Sequence, residues 1–292
     1  MQFFAKTFFL SMIFILFIAI SPVHAFGITP VKMLVTADPA TSQTVVVRIN
    51  NSDKTNLTFK LSVLGTKQDE MGLPVFERGV DEAEAWIFPE ESLVTLKPGE
   101  TRAVNFIIRV PENASAGSHY VGLAVEPALK NTNQNAITSR LLSLLTLQVK
   151  GLVQESVIIE KWDVIKGSVG NKSWKFALGL QNNGTVEVPL KGTAAIKNWR
   201  GEEIFIEPVV LGNTLLAGSR RVLSPEISLK NNISLPGIYQ AQIQVNYGRT
   251  NQAVSAIDYI WYFPIWSKVV LAAGGLCMAF LVFLLIKKLR KS

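Results

Sequence analysis

The chain has 292 residues and a formal net charge of +7, with 48% hydrophobic and 17% charged residues and a single cysteine. Of its 29 Lys+Arg, 23 lie between Phe26 and Phe263 together with all 22 Asp+Glu, so this central stretch carries only +1 and the excess sits at the two ends. That distribution excludes a nucleic-acid footprint, and one cysteine excludes an intrachain disulfide framework, so the hydrophobic core must hold the fold.

The amino terminus reads as a signal peptide over 1–25. Lys6 precedes an apolar run through Phe8 to Ile18, Ser21-Pro22 breaks it, and Val23-His24-Ala25 offers small residues at a cleavage site. Cleavage is expected after Ala25.

From Phe26 the apolar pattern has period two, broken by Gly, Pro, Asn and Asp. Thr44–Asn50 (TVVVRIN), the turn Asn51-Ser52-Asp53 and Leu57–Leu64 (LTFKLSVL) read as two antiparallel strands. Leu93–Leu96 leads into Lys97-Pro98-Gly99-Glu100, where the Pro-Gly pair suits a type II turn. The strand Ala103–Val110 follows.

Between these strands lies an uneven stretch, 66–91. From Asp69 to Glu91 it holds Asp69, Glu70, Glu77, Asp81, Glu82, Glu84, Glu90 and Glu91 against the single cation Arg78. It reads as an acidic insertion. Its carboxylates could be oxygen ligands for Ca²⁺ or a surface for a basic partner, or the segment is a solvated acidic loop, since it lacks EF-hand spacing.

The back half repeats the front. Asn50-Asn51 and its turn parallel Asn182-Asn183-Gly184; Leu96 to Gly99 parallels Leu215 to Gly218; Asn113 to Tyr120 parallels Asn232 to Tyr239 with a one-residue adjustment. The acidic insertion has no counterpart. The expected fold class is all-β: two tandem immunoglobulin-like β-sandwiches over 26–150 and 151–263, joined by a short, stiff junction and followed by a single C-terminal transmembrane helix.

That helix is expected over 264–287, because Val269–Ile286 runs without a charge for about the length a bilayer requires. Trp261, Tyr262 and Trp266 stand at its outer flank, where amphipathic rings favour the headgroup level. Lys287, Lys288, Arg290 and Lys291 form the inner flank, leaving 288–292 as a basic cytoplasmic tail. The expected localisation is the cell membrane, single-pass, with the ectodomain outside the cytoplasm; a disulfide-free ectodomain favours a bacterial envelope.

Several motifs resemble the WxL-interacting proteins. Phe26 to Val31, the Thr36-Ala37-Asp38-Pro39 turn, Trp86 to Pro89, Leu96 to Glu100 and Val110 to Tyr120 look like that family's first domain. The Asn182-Asn183-Gly184 turn, Ile196 to Glu202 and Pro236 to Tyr239 are similar to its second. Ala40 departs from the pattern, standing where Gly commonly follows the Asp-Pro turn. The resemblance implies a bacterial cell-surface protein whose first domain is associated with peptidoglycan and whose second is associated with host matrix, working beside WxL-domain surface proteins.

Catalysis has little raw material. After cleavage His119 is the only histidine, and Cys277 lies inside the apolar helix, so His119 reads as an ordinary polar strand residue and no catalytic, cofactor or metal site is assigned. Trp86, Trp162, Trp174 and Trp199 are candidate sugar-stacking rings, although a strand Trp is more often core; Trp199, in the turn Asn198 to Glu202, is the ring expected outside. Together with Trp86, Asp81, Glu82 and Glu84 it forms the candidate ligand-contact set. The expected function is non-enzymatic binding of cell-wall glycan or an extracytoplasmic protein partner. The alternative is a chaperone-like or assembly role using exposed sandwich edge strands.

Overall fold

A computed structural model describes residues 26–128, 139–165, 173–228 and 235–290. The signal peptide and Lys291 lie outside them.

The first sandwich is built from β1 (Phe26–Thr29), β2 (Lys32–Ala37), β3 (Ser42–Asn51), β4 (Leu57–Gln68), β5 (Pro74–Glu77), β6 (Ile87–Pro89), β7 (Leu93–Leu96), β8 (Thr101–Arg109), β9 (Gly117–Pro127) and β10 (Leu141–Val149). One sheet has the order β1-β3-β8-β6, and the other β2-β10-β9-β4-β5 with β7 also paired to β4. Alternation explains the layering. Val47 and Ile49 of β3 and Val104, Phe106 and Ile108 of β8 point inward against Phe59, Leu123, Leu145 and Leu147 of the facing sheet, all at most 5% exposed.

The reading of TVVVRIN and LTFKLSVL as an antiparallel pair is corrected here. β3 pairs with β1 and β8, whereas β4 pairs with β5, β7 and β9, so the two strands face each other across the core. The reason is the buried Asn51. Its amide donates to the carbonyls of Thr55, Leu96 and Lys97 (2.9, 3.1 and 3.1 Å) and its oxygen accepts from the Asp53 amide, which carries the chain over the sandwich rim. Period two describes strands that pair and strands that merely face equally well.

The second sandwich contains β11 (Val157–Val164), β12 (Ser173–Asn182), β13 (Val188–Lys197), β14 (Glu203–Leu215), β15 (Arg220–Leu223), β16 (Glu226–Ser228), β17 (Gly237–Tyr247) and β18 (Gln252–Tyr262). Its sheets run β11-β12-β15, with β16 beside β12, and β14-β13-β17-β18. Trp162 stacks on Phe176 at 4.5 Å between ring centroids, and its indole N–H donates to the Ala241 carbonyl.

The repeat is visible in atomic detail. Asn182 reproduces Asn51: its amide donates to the Val186 and Leu215 carbonyls, and its oxygen accepts from Gly184. Gly99 bonds back to the Asn51 carbonyl as Gly218 does to that of Asn182. The counterpart of Asn182 is therefore Asn51, one residue on from the register suggested by the paired asparagines.

Helix α1, Ile265–Leu289, follows β18 after two residues. It is the one helix among the described residues long and apolar enough to cross a bilayer, a candidate span over Ile265–Lys287 whose most apolar 18-residue stretch has mean hydropathy 2.8 and no buried residue. At about 1.5 Å per residue it exceeds the roughly 30 Å of a hydrocarbon core.

Candidate functional site at the module junction

The acidic stretch folds back on the first sandwich. β5 extends the β4 edge and lays Phe76 over Gly122, where a Cβ would stand 2.5 Å from the ring, and at Gly65 a Cβ would stand 2.7 Å from the Val80 side chain and 2.8 Å from the Asp81 amide. Glycine is needed at both positions for the insertion to lie flat.

Beyond β5 the carboxylates are turned onto the chain's own amides. Asp81 caps the 3-10 turn Glu82–Ala85 by accepting from the Ala83 amide at 2.9 Å, while its other oxygen accepts from the Tyr120 amide at 2.7 Å. Glu84 accepts from Gly79 at 2.6 Å and from Gly65 at 3.3 Å. Glu82 accepts from the Ser115 hydroxyl. Among the described residues no group of three or more His, Cys, Asp or Glu is placed to hold a metal ion.

His119 is not the ordinary polar strand residue expected from sequence. The residue is 8% exposed, and its ring lies 3.1 Å from Asp81 through Nδ1 and 3.0 Å from the Ser115 carbonyl through Nε2, and meets the Trp86 ring edge-on at 4.8 Å. Burial acts to lower its pKa. The hydrogen bonds to Asp81 and the Ser115 carbonyl, with the charges of Asp81 and Glu82, outweigh that and raise it above 6.5. Tyr120 beside it is held well above its usual value by burial.

This cluster stands next to the junction. The Ser118 amide donates to the Thr185 carbonyl at 2.8 Å, and the Ala217 amide reaches the Tyr120 hydroxyl at 3.4 Å. The tip of the insertion adds a second tie: the Glu70 carbonyl accepts from the Val222 amide at 2.7 Å, the Glu70 carboxylate meets Arg220 at 3.2 Å, and Gln68 bonds to Thr214 and Leu216. The part of the first module that the second lacks thus adds a tie of its own to the one made by β9. Sequence reasoning named Glu70 only among the acidic residues of the insertion and missed Gln68, Tyr120 and Arg220, although the lack of a repeat partner for 66–91 was a usable signal.

Between the modules opens a cleft of about 540 Å³, lined by Thr36, Gln148 and Lys150 from one side and Glu187, Thr214 and Arg249 from the other. β2 runs into it. β2 lies at the end of its sheet in parallel with β10, and among the described residues no further strand pairs with it. The Val31 and Ala37 carbonyls accept from β10 and the residue after it, so by parallel alternation the amides and carbonyls of Lys32, Leu34 and Thr36 point away from β10. The Thr36 carbonyl takes only a 3.4 Å contact from the Gln43 side chain, and Leu34 is 60% exposed.

The remaining candidates lie apart from the cleft. Trp86 is buried against His119, while Trp199 is 62% exposed with the Arg200 guanidinium 4.7 Å over its ring. Trp162 and Trp174 are core residues. Trp261 and Trp266 are exposed, but Tyr262, read as a third interfacial ring, is only 5% exposed and packs on Trp174 and Tyr239. The strand turns adjacent residues to opposite faces, so Trp261 outside puts Tyr262 inside. Lys287, Lys288 and Arg290 close the far end of α1.

No protein-family model and no curated protein matches this chain. Among solved structures it is similar to a chaperone–tip adhesin complex of CFA/I fimbriae biogenesis (TM-score 0.47, 10% identity, covering 80% of this chain and 98% of that one). It is also similar to the class 5 fimbriae chaperone CfaA (0.43, 11%, 82% and 100%). A third is the CsuC–CsuE chaperone–tip adhesion subunit pre-assembly complex of Acinetobacter baumannii (0.38, 18%, 68% and 89%). At such identities the likeness is one of architecture, and it carries no ligand across to this chain.

Proposed function

We propose that this protein is a non-enzymatic binding protein of the bacterial envelope, tethered to the membrane by α1, whose two joined sandwiches hold an extended segment of an extracytoplasmic protein partner. The observation that carries this is the open edge of β2, which leads outward-facing backbone groups into the cleft between the modules. A partner strand added there gains main-chain hydrogen bonds along β2 and side-chain contacts in the cleft. The ties from the insertion keep that cleft preformed, which lowers the ordering cost of binding. Among the described residues the one histidine and its neighbouring carboxylates are engaged in holding the fold, which supports a binding role over a catalytic one.

The sequence resemblance to WxL-interacting proteins supplies a partner class, a WxL-domain surface protein. It also supplies the second reading, wall glycan, for which the open ring of Trp199 is the matching feature.

A photo-cross-linker at Thr36, which is exposed on the same strand edge and lines the cleft, tests the proposal in growing cells. A dominant protein adduct is expected, and Leu34→Pro should abolish it while preserving the fold, because proline removes an outward amide on an edge strand. Cross-links to muropeptides with no protein adduct would favour the glycan reading.

A further inference from the structure

The second sandwich ends in an apolar platform that β-strand pairing gathers from three separate places in the sequence. Sheet register puts Lys197 beside Gln240 and Gly237 beside Tyr262, so the turn after β13, the start of β17 and the end of β18 share one end of one sheet. On that end Trp199 lies against Gly237 at the start of β17, Trp261 is paired with Ile238 on the outer face and stacks on Phe263 at 6.3 Å, and exposed Leu235 lies two residues before Gly237 in the chain. Trp199, Trp261, Phe263 and Leu235 are 40–66% exposed, and Ile238 37%. A soluble surface has no use for such a cluster of aromatic and aliphatic side chains.

What covers it follows from the helix beside it. Only Phe263 and Pro264 separate β18 from α1. The first turn is locally capped: Pro264 and Ser267 are buried, and the Ser267 hydroxyl and amide both donate to the Pro264 carbonyl at 2.7 and 3.1 Å. The two intervening residues span at most about 7 Å, so where the start of α1 meets a bilayer, the platform is held at or just above its surface. Its chemistry fits that level. Trp rings favour the headgroup zone, and Arg200 over Trp199 and exposed Lys268 on the first helical turn present cations at the height of lipid phosphates.

We infer that this platform is a membrane-surface seat: Trp199, Leu235, Ile238, Trp261 and Phe263 rest in the headgroup layer of the leaflet that α1 enters, fixing the orientation of the ectodomain. Trp199 is thereby a lipid contact, and the cleft faces away from the bilayer as a site held at a set height. The inference rests on the reading of α1 as the membrane anchor.

The test uses the full chain in phosphatidylcholine–phosphatidylglycerol vesicles. Wild type, Trp199→Phe and Trp261→Phe are compared for fluorescence quenching by lipids brominated high on the acyl chain and by aqueous iodide; Trp199 is exposed and Phe is conservative, and circular dichroism checks the fold. The expected result is loss of a bromolipid-quenched, iodide-shielded component in both variants. If the protein floats with the vesicles and only Trp261→Phe removes that component, the seat is wrong and the anchor stands. If the protein does not float with the vesicles at all, the anchor reading fails and the seat with it.

Discussion

Replacing Asp81 by Ala removes three contacts at once. The first turn of the 3-10 segment loses its cap, worth about 1 kcal/mol. The Tyr120 amide, on a residue 4% exposed, is left without an acceptor, at about 1–3 kcal/mol. Before His119 is counted, the first sandwich should lose about 2–4 kcal/mol; Asp81→Asn, which keeps one acceptor, should lose roughly half of that. Urea unfolding of residues 26–263 measures the loss, and hydrogen exchange locates it at the Ala83 and Tyr120 amides. A change below about 1 kcal/mol with Tyr120 still protected would refute the assignment of Asp81 as the tie between insertion and core. The same variant carries a pH signature. His119 has a folded pKa raised above 6.5, so its interaction with Asp81 stabilises fully below the unfolded value and is lost as pH rises through the folded one. Wild type should therefore lose stability on going from acid through neutral pH, and Asp81→Ala should flatten that dependence.

Asn182→Ala strands two carbonyls and the Gly184 amide in a buried turn, and should cost the second sandwich about 2–4 kcal/mol in a urea titration. Asn51→Ala should cost the first sandwich a similar amount, since the two residues occupy one position of the repeat. Gly117→Ala drives a Cβ into the Thr185 carbonyl at a backbone φ of 139°, so it should break the Ser118–Thr185 bond and loosen the junction rather than either core. Small-angle scattering should show a broader distribution of intermodule distances, and an unchanged profile would count against the junction as described.

Much of the architecture was legible because it depends on local chemistry. Alternation in β3 and β8 requires one buried face whatever lies opposite. Gly99 takes φ of 74°, with the Glu100 amide bonded to the Lys97 carbonyl, as the Pro-Gly turn demands. Ala40 sits at φ 58° in the turn where glycine would be easier, at a cost of about 1–2 kcal/mol, and the Thr41 hydroxyl bonded to the Asp38 carbonyl steadies that turn.

Other features depended on distance along the chain. His119 and Asp81 are 38 residues apart and Glu70 and Arg220 150, and no period in the sequence links them. Toward the end of β18, Ile260 and Tyr262 on one face and Ile257, Tyr259 and Trp261 on the other are all apolar or aromatic, so alternation did not say whether Trp261 or Tyr262 pointed inward. The closely spaced acidic residues looked like a charged surface because sequence shows charge and not the amides that charge meets.

The sequence by itself determined the apolar segment long enough to span a membrane, the near-neutral stretch before it and the duplicated β pattern, because hydrophobicity and turn chemistry are properties of neighbours. Only the tertiary structure decided which sheet each strand joins, that the acidic insertion fastens one module to the other, and that an open strand edge leads into the cleft between them. Those follow from register and from contacts between distant residues, which only packing fixes.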